Sequence, residues 1–319
     1  MVSPACGEYE DILTLLLELT NNLLILMASE LATLMRNLFN LRQYRAARIR
    51  KLPWRMRIPY FRNLVRHAAL DGWPGGYIQR SDGRLAYVPS HVDVTAGHRL
   101  FKPVLDIDII DAMCRPGDCV LDIGANVGDW AMPFALRVGP TGCVLAFEPV
   151  PYLAETVAKT ARVNRQDWVE VHQLALSDCD GSSEFSVESG NSGGSRLGRA
   201  AGDFAVIAVA TRRLDSLLAE RPDIDRIDFI KIDVEGHELG VLRGATATLA
   251  RFRPPLLLEC GMESADERQA LRDLLVGLDY DIIGPIVPGG IVEAQWHDYP
   301  NQTGPLAGLG LCNYLFMPK

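Results

Sequence analysis

Seven short apolar runs are spaced along the chain from residue 119 onward, with turn residues or helical periodicity between most of them. They predict strands at 119–123, 143–147, 169–174, 228–233, 256–260, 280–284 and 313–317. Helices are expected over 104–114, after Gly128, over 151–163 and over 265–277. Strands alternating with helices describe a seven-stranded, doubly wound α/β sheet that binds its ligand at the strands' carboxyl ends. Asp122, Glu148, Asp178, Asp233 and Glu259 all fall at or just after predicted strand ends. One end of the sheet is therefore expected to gather carboxylates.

The pattern ahead of this body is different. Residues 8–52 contain neither Gly nor Pro, which reads as a helical arm. Positions 13, 17, 20, 24, 27, 31, 34, 38 and 41 follow alternating four–three spacing and are all Leu or Met except Thr20, a coiled-coil-like seam. Further leucines widen that apolar face, so three readings stay open for it. The arm packs against the body or a second subunit. It lies as an interfacial helix on a membrane. Or it spans one, although Glu18, Asn21 and Asn22 interrupt the best window. Pro53, Pro59 and the run Gly72-Trp73-Pro74-Gly75-Gly76 end the arm, and Asp82-Gly83 predicts a hairpin between 77–80 and 85–88. The expected domains are 1–70, a Leu/Arg-rich arm and linker, and 71–319, the catalytic body.

Charge sharpens this division. Residues 1–30 carry five acids and no base, and residues 31–70 carry ten bases and no acid. With a net charge of −8 overall, residues 71–319 carry −8 + 5 − 10 = −13. An acidic body does not suit a nucleic-acid substrate, whose binding rests on phosphate neutralisation. The basic stretch instead suits an anionic membrane surface; the competing expectation is a homodimer formed through residues 9–66. The acidic start fits no cleavable signal peptide. Seven cysteines, an odd number without a C-x-x-C pair, argue for a reducing compartment and against a zinc site or disulfide framework. The expected location is cytoplasmic, either free or peripheral on the inner face of the plasma membrane.

The densest chemistry is Asp122-Ile123-Gly124-Ala125-Asn126-Val127-Gly128, followed by Phe147-Glu148-Pro149. Glycines at 124 and 128 let the backbone turn sharply and approach a ligand. A carboxylate ending the next strand suits ribose hydroxyls. The spacing departs from the dinucleotide fingerprint, and Asp122 and Asp129 would repel a pyrophosphate but suit a sulfonium and an α-amino group. An adenosine-bearing sulfonium, S-adenosylmethionine, is the expected cofactor.

These segments, with Ala175-Leu176-Ser177-Asp178, Leu214-Asp215-Ser216-Leu217, Phe229-Ile230-Lys231-Ile232-Asp233-Val234-Glu235-Gly236-His237-Glu238 and Leu256-Leu257-Leu258-Glu259, resemble the FkbM-type S-adenosylmethionine-dependent methyltransferases. The resemblance covers about residues 75–318 and leaves the arm unexplained. It implies a Rossmann-like class I methyltransferase fold and O-methylation of a hydroxyl on a sugar, glycolipid or polyketide-like natural product. It implies cofactor contacts from Asp122, Gly124, Asn126, Gly128, Glu148, Ala175 and Leu176, and it sets Asp233 and its neighbours beside the transferable methyl. The acceptor would be a small or lipid-linked molecule with a free hydroxyl. Other readings are a non-catalytic cofactor-binding scaffold at a membrane and an N- or RNA methyltransferase.

Methyl transfer needs an aligned acceptor and a way to remove its proton. Asp233, Glu235 and His237 are the catalytic candidates, with His237 the best base by its ordinary pKa. His237 could instead make a structural hydrogen bond at a helix start, and Glu238 reads as a first-turn charge. Asp233 and Glu259 end adjacent strands and could share a Mg²⁺ ion; otherwise Glu259 orients a neighbouring loop. Residues 189–196 form a Gly/Ser-rich insertion, readable as a lid or as a plain surface loop. Trp296, His297, Tyr299 and Asn301 are candidates for the acceptor pocket by position.

Overall fold

A computed structural model describes residues 75–80, 83–90, 107–188, 192–199, 204–261, 263–287 and 290–319. The chain divides into two units, Met1–Pro74 and Gly75–Lys319. The first unit, and with it the arm, lies outside the described residues.

The second unit opens with the hairpin, β1 (Gly76–Gln79) and β2 (Leu85–Val88), paired antiparallel. Helix α1 (Ile107–Met113) leads into the main sheet. Its strands are β3 (Cys119–Ile123), β4 (Cys143–Phe147), β5 (Val169–His172), β10 (Phe229–Ile232), β11 (Leu256–Cys260), β12 (Tyr280–Val287), β13 (Gly290–Ile291) and β14 (Cys312–Pro318), in the spatial order β13-β12-β14-β11-β10-β3-β4-β5. The five strands from β11 to β5 run parallel, and β14 inserts antiparallel between β11 and β12. The seven expected strands are thus present, with the two-residue β13 added at the edge.

Alternation along these strands builds a core on each face of the sheet. Leu121, Ile123, Leu145, Phe147, Ile230 and Ile232 pack on one side, against residues of α5 (Glu238–Arg243), α6 (Thr246–Phe252) and α7 (Ala265–Gly277). Val120, Val144, Ala146 and Phe229 pack on the other, against α1, α2 (Ala131–Val138) and α3 (Pro151–Val163). Local chemistry sets the helix ends. Pro151 opens α3, where a missing N–H costs nothing. Ser264 and Glu267 form a reciprocal capping box at the start of α7.

Residues 175–212 form a second, separate sheet: β6 (Ala175–Leu176), β7 (Gly181–Glu188), β8 (Arg196–Leu197) and β9 (Phe204–Arg212), in the order β6-β9-β7-β8. Helix α4 (Leu214–Ala219) returns the chain to β10. Residues 189–191 of the insertion expected around 189–196 lie outside the described residues. Its described residues are a 3₁₀ turn, Ser192–Gly194, and β8, with Ser192 and Ser195 buried.

The cysteine expectation is corrected here. Cys119 and Cys143 are in-register neighbours on β3 and β4, their Cα atoms 4.5 Å apart, and they form a disulfide. Parallel pairing places both side chains on one face, which an odd cysteine count cannot reveal. Cysteine number therefore gives no support to a reducing compartment. Among the described residues, no helix is long and apolar enough to cross a membrane.

Candidate active site

The chain leaves β3 toward β4 and β5 on one side, and reaches β10 and β11 on the other. Loops after β3 and β10 diverge at this switch point and open a crevice. There the structure has a cleft with about 620 Å³ of space, part of it open to solvent. Gly124, Asn126, Glu148, Ala175, Leu176, Asp233, Glu235 and His237 all line it. The cleft thus brings together eight of the residues singled out in the sequence.

The two loops touch at Gly124. Its φ is +82°, and a Cβ there would sit 1.8 Å from the Asp233 carbonyl oxygen, so only glycine lets the loops close. Asn126 takes a left-handed φ of 48° and turns its backbone N–H to Glu148 Oε2 at 2.8 Å. Val150 N–H donates to the other oxygen, Oε1, at 2.9 Å. Burial pushes the Glu148 carboxyl up to about 7, against the pull of these two amides. Each oxygen keeps a lone pair for a ligand hydroxyl.

Asp122 and Gly128 are not among the residues lining the cleft. Asp122 alternates with Leu121 and Ile123 along β3 and is fully buried on the α2 side. Its partner is Lys231, directly across the β3–β10 ladder, at 3.5 Å. Gly128 has a φ of +83° and turns the chain against Val157.

Lys231 is the group that sequence reasoning missed. It is 1% exposed, and its Nζ lies 3.1 Å from Asp233 and 3.3 Å from the Gly124 carbonyl. Burial disfavours the ammonium, but Asp233 and Asp122 outweigh that cost and raise its pKa. Asp122 is held at about 6, raised by burial and restrained by Lys231. The signal was present in the sequence: a lysine inside the apolar run Phe229-Ile230-Lys231-Ile232 is costly to bury unless paired.

Carboxylate oxygens of Asp233, Glu235 and Glu259 lie within 4.8 Å of one another. Burial, and then Asp233, raise Glu259 well above the ordinary range. Mg²⁺ wants near-octahedral coordination, and here three carboxylates stand beside an ammonium already seated against Asp233. Lys231 already pairs with Asp233, and three carboxylates alone fall short of an octahedral set, so the residues present do not by themselves make a Mg²⁺ site. Glu235 reaches the cleft from a left-handed backbone position, φ 52°.

His237 lines the cleft at the start of α5, and its Nε2 lies 2.9 Å from Ser177 Oγ. Burial lowers its pKa, while Asp178 raises it. Glu238 is structural: its Oε1 accepts from Val234 N–H and Gly236 N–H, each at 3.2 Å, and so closes the loop that presents Glu235. Asp215 is structural too, accepting from the Ala247 and Thr248 amides at the start of α6.

The family model of the methyltransferase FkbM domain matches residues 122–282, half of the chain. The chain belongs to the FkbM methyltransferase family. It is similar to the 2-O-methyltransferase NoeI of Sinorhizobium fredii, at 29% identity over 161 residues, 46% of this chain and 64% of that protein. It is 27% identical to Methyltransferase 1 of Beauveria bassiana over 143 residues, 39% of this chain and 57% of that one. The matches thus span less than two thirds of either relative's length. Among solved structures, the methyltransferase FkbM of Methylobacillus flagellatus KT aligns with 66% of this chain and 50% of its own, at 17% identity and a TM-score of 0.40.

The FkbM cleft also has walls that the sequence did not announce. Phe185, Ser192, Ser195 and Leu197 line it from the second sheet. The aromatic candidates near the last strand do not line it. Tyr299 is fully buried with its hydroxyl 3.2 Å from Cys260 Sγ, Trp296 stacks on Phe316, and His297 and Asn301 point to solvent. Tyr299 and Trp296 are core residues of the segment joining β12 to β14.

Proposed function

We propose that this chain is an S-adenosylmethionine-dependent O-methyltransferase acting on a hydroxyl of a sugar, glycolipid or polyketide-like natural product. Glu148 carries the reading: a buried carboxylate at the switch point, both oxygens aligned by backbone amides, with lone pairs left for a ribose diol. Family membership supports methyl transfer, and the name of the relative NoeI supports oxygen as the acceptor atom. When bound, the cofactor supplies a methyl group on a sulfonium that an acceptor oxygen can displace in line.

The chain's own residues do the rest. The 124–128 loop offers backbone close to the ligand. Ala175, Leu176 and Phe185 give an apolar wall suited to adenine. Asp233, Glu235 and Glu259 gather carboxyl groups at the acceptor end, which favours a cationic centre beside them. His237 takes the acceptor's proton. Incubation of the full chain with methyl-labelled cofactor and fractionated lipid and polar extracts, followed by mass analysis, tests this. A product methylated on oxygen is expected. A methyl found on nitrogen, or calorimetry with no heat of cofactor binding, overturns it.

A further inference from the structure

We propose that Ser177 and Asp178 set the tautomer of His237, making Nδ1 the nitrogen that receives the acceptor's proton. The inference rests on the methyl-transfer reading above and adds two positioning residues to it.

The argument starts from one hydroxyl proton. Ser177 Oγ is buried and has two partners, Asp178 Oδ1 at 3.3 Å and His237 Nε2 at 2.9 Å. A carboxylate only accepts, so the serine proton goes to Asp178. Ser177 must then accept from the histidine, and Nε2 carries the hydrogen. In a neutral imidazole the other nitrogen, Nδ1, is left with a free lone pair. The opposite arrangement would spend the serine proton on Nε2 and strand an anionic acceptor next to a bare oxygen; the charge-assisted bond is the stronger choice.

The surroundings hold this arrangement in place. A Cβ on Gly240 would lie 2.4 Å from Nε2 and 2.5 Å from Cε1, so the Nε2 edge of the ring rests on the backbone of α5. The ring lines the cleft, and Nδ1 is the nitrogen that Ser177 does not engage. Ser177 itself is fixed by its N–H, which donates to the Arg212 carbonyl at 2.9 Å, and by the close approach of Gly244 to its own carbonyl. Asp178 lies at the far end of the chain of bonds, where its charge favours the imidazolium formed in the reaction.

The step balances. The acceptor oxygen's electron pair forms the new bond to the methyl carbon. The carbon–sulfur pair goes to sulfur, which leaves as a neutral thioether. The hydroxyl proton goes to Nδ1 of His237, and the imidazolium later returns it to solvent, with Nε2–H still on Ser177.

Long-range proton–nitrogen NMR of the full chain, labelled with ¹⁵N-histidine and free of cofactor, reads the tautomer directly. Neutral His237 should be the Nε2–H form. Asp178→Asn should invert it, because an asparagine amide can donate to Ser177 and redirect the serine proton to Nε2. The same variant should lower kcat about a hundredfold with the cofactor KM unchanged. Ser177→Ala should give mixed tautomers, and Ser177→Thr should restore both the tautomer and kcat. A wild-type Nδ1–H form, or an Asp178→Asn protein with unaltered tautomer and kcat, overturns the proposal. Wild-type turnover in His237→Gln would instead overturn the general-base reading beneath it, whatever the NMR shows.

Discussion

Gly240→Ala separates the position of His237 from the stability of the fold. The added methyl would sit 2.4 Å from Nε2, whereas ordinary contact begins at 3.4 Å. The ring must therefore retreat by about 1 Å, 3.4 minus 2.4. A ring displaced that far loses the geometry of its 2.9 Å bond to Ser177. Losing that bond costs about 1 kcal/mol. Alanine in place of a helical glycine returns about 1 kcal/mol through backbone entropy. The two nearly cancel, so the melting temperature should barely move. Turnover should not escape, since a displaced general base forfeits about 10²–10⁴-fold. The assay is methyl transfer to the extract fraction that accepts label, at saturating cofactor, beside a thermal melt of the same sample. A Gly240→Ala protein that melts like wild type and turns over within twofold of it would refute the argument that the ring's seat matters.

Four further outcomes are expected. Cofactor affinity should rise about tenfold from pH 6 to pH 8, because Glu148, raised by burial to about 7, must lose its proton to accept from a diol; Glu148→Gln should weaken binding at least tenfold and flatten the profile in calorimetry. Lys231→Met should destabilise the fold by about 3 kcal/mol in denaturant melts. The loss should be greater at pH 8 than at pH 5: Asp122, buried and deprived of Lys231, binds a proton in the folded state, so the variant's stability falls as pH rises. Reduction should lower stability by about 3 kcal/mol, the entropy of a loop closed across a sequence separation of 24, and Cys119→Ser with Cys143→Ser should remove the response. Finally, vesicles rich in anionic lipid should float the full chain but not a form starting near Gly75; a dimer of the full chain that never floats would make residues 9–66 an oligomerisation element.

Much of the frame could be read from the chain because its signals are local. Helices α3 and α7 have the bounds expected of them, since Pro151 and the Ser264–Glu267 box mark their starts within a few residues. The carboxylates at strand ends were legible for the same reason. What escaped reading depends on register and on partners distant in sequence. Asp122 occupies a strand end like Glu148, but the pleat turns it under the loop to Lys231, 109 positions away. The Ser177–His237 bond spans 60 residues. The second sheet was hidden because β7 and β9 are rich in Ser and Ala and leave much of their length exposed, so neither shows a clear apolar alternation.

That second sheet makes no ladder with the main one, yet it supplies part of the cleft wall through Phe185, Ser192, Ser195 and Leu197. The molecule is built like a lathe with an exchangeable chuck. In the proposed reading the main-sheet frame holds the donor and the proton acceptor, while residues 181–209, which leave out Ser177 and Asp178, shape what can be offered to them. Because the two parts share no β-ladder, the chuck can be rewritten, shortened or transplanted without disturbing the register that places Glu148, Lys231 and Asp233. Swapping this cassette between relatives should therefore change which acceptor is methylated before it changes whether methylation occurs.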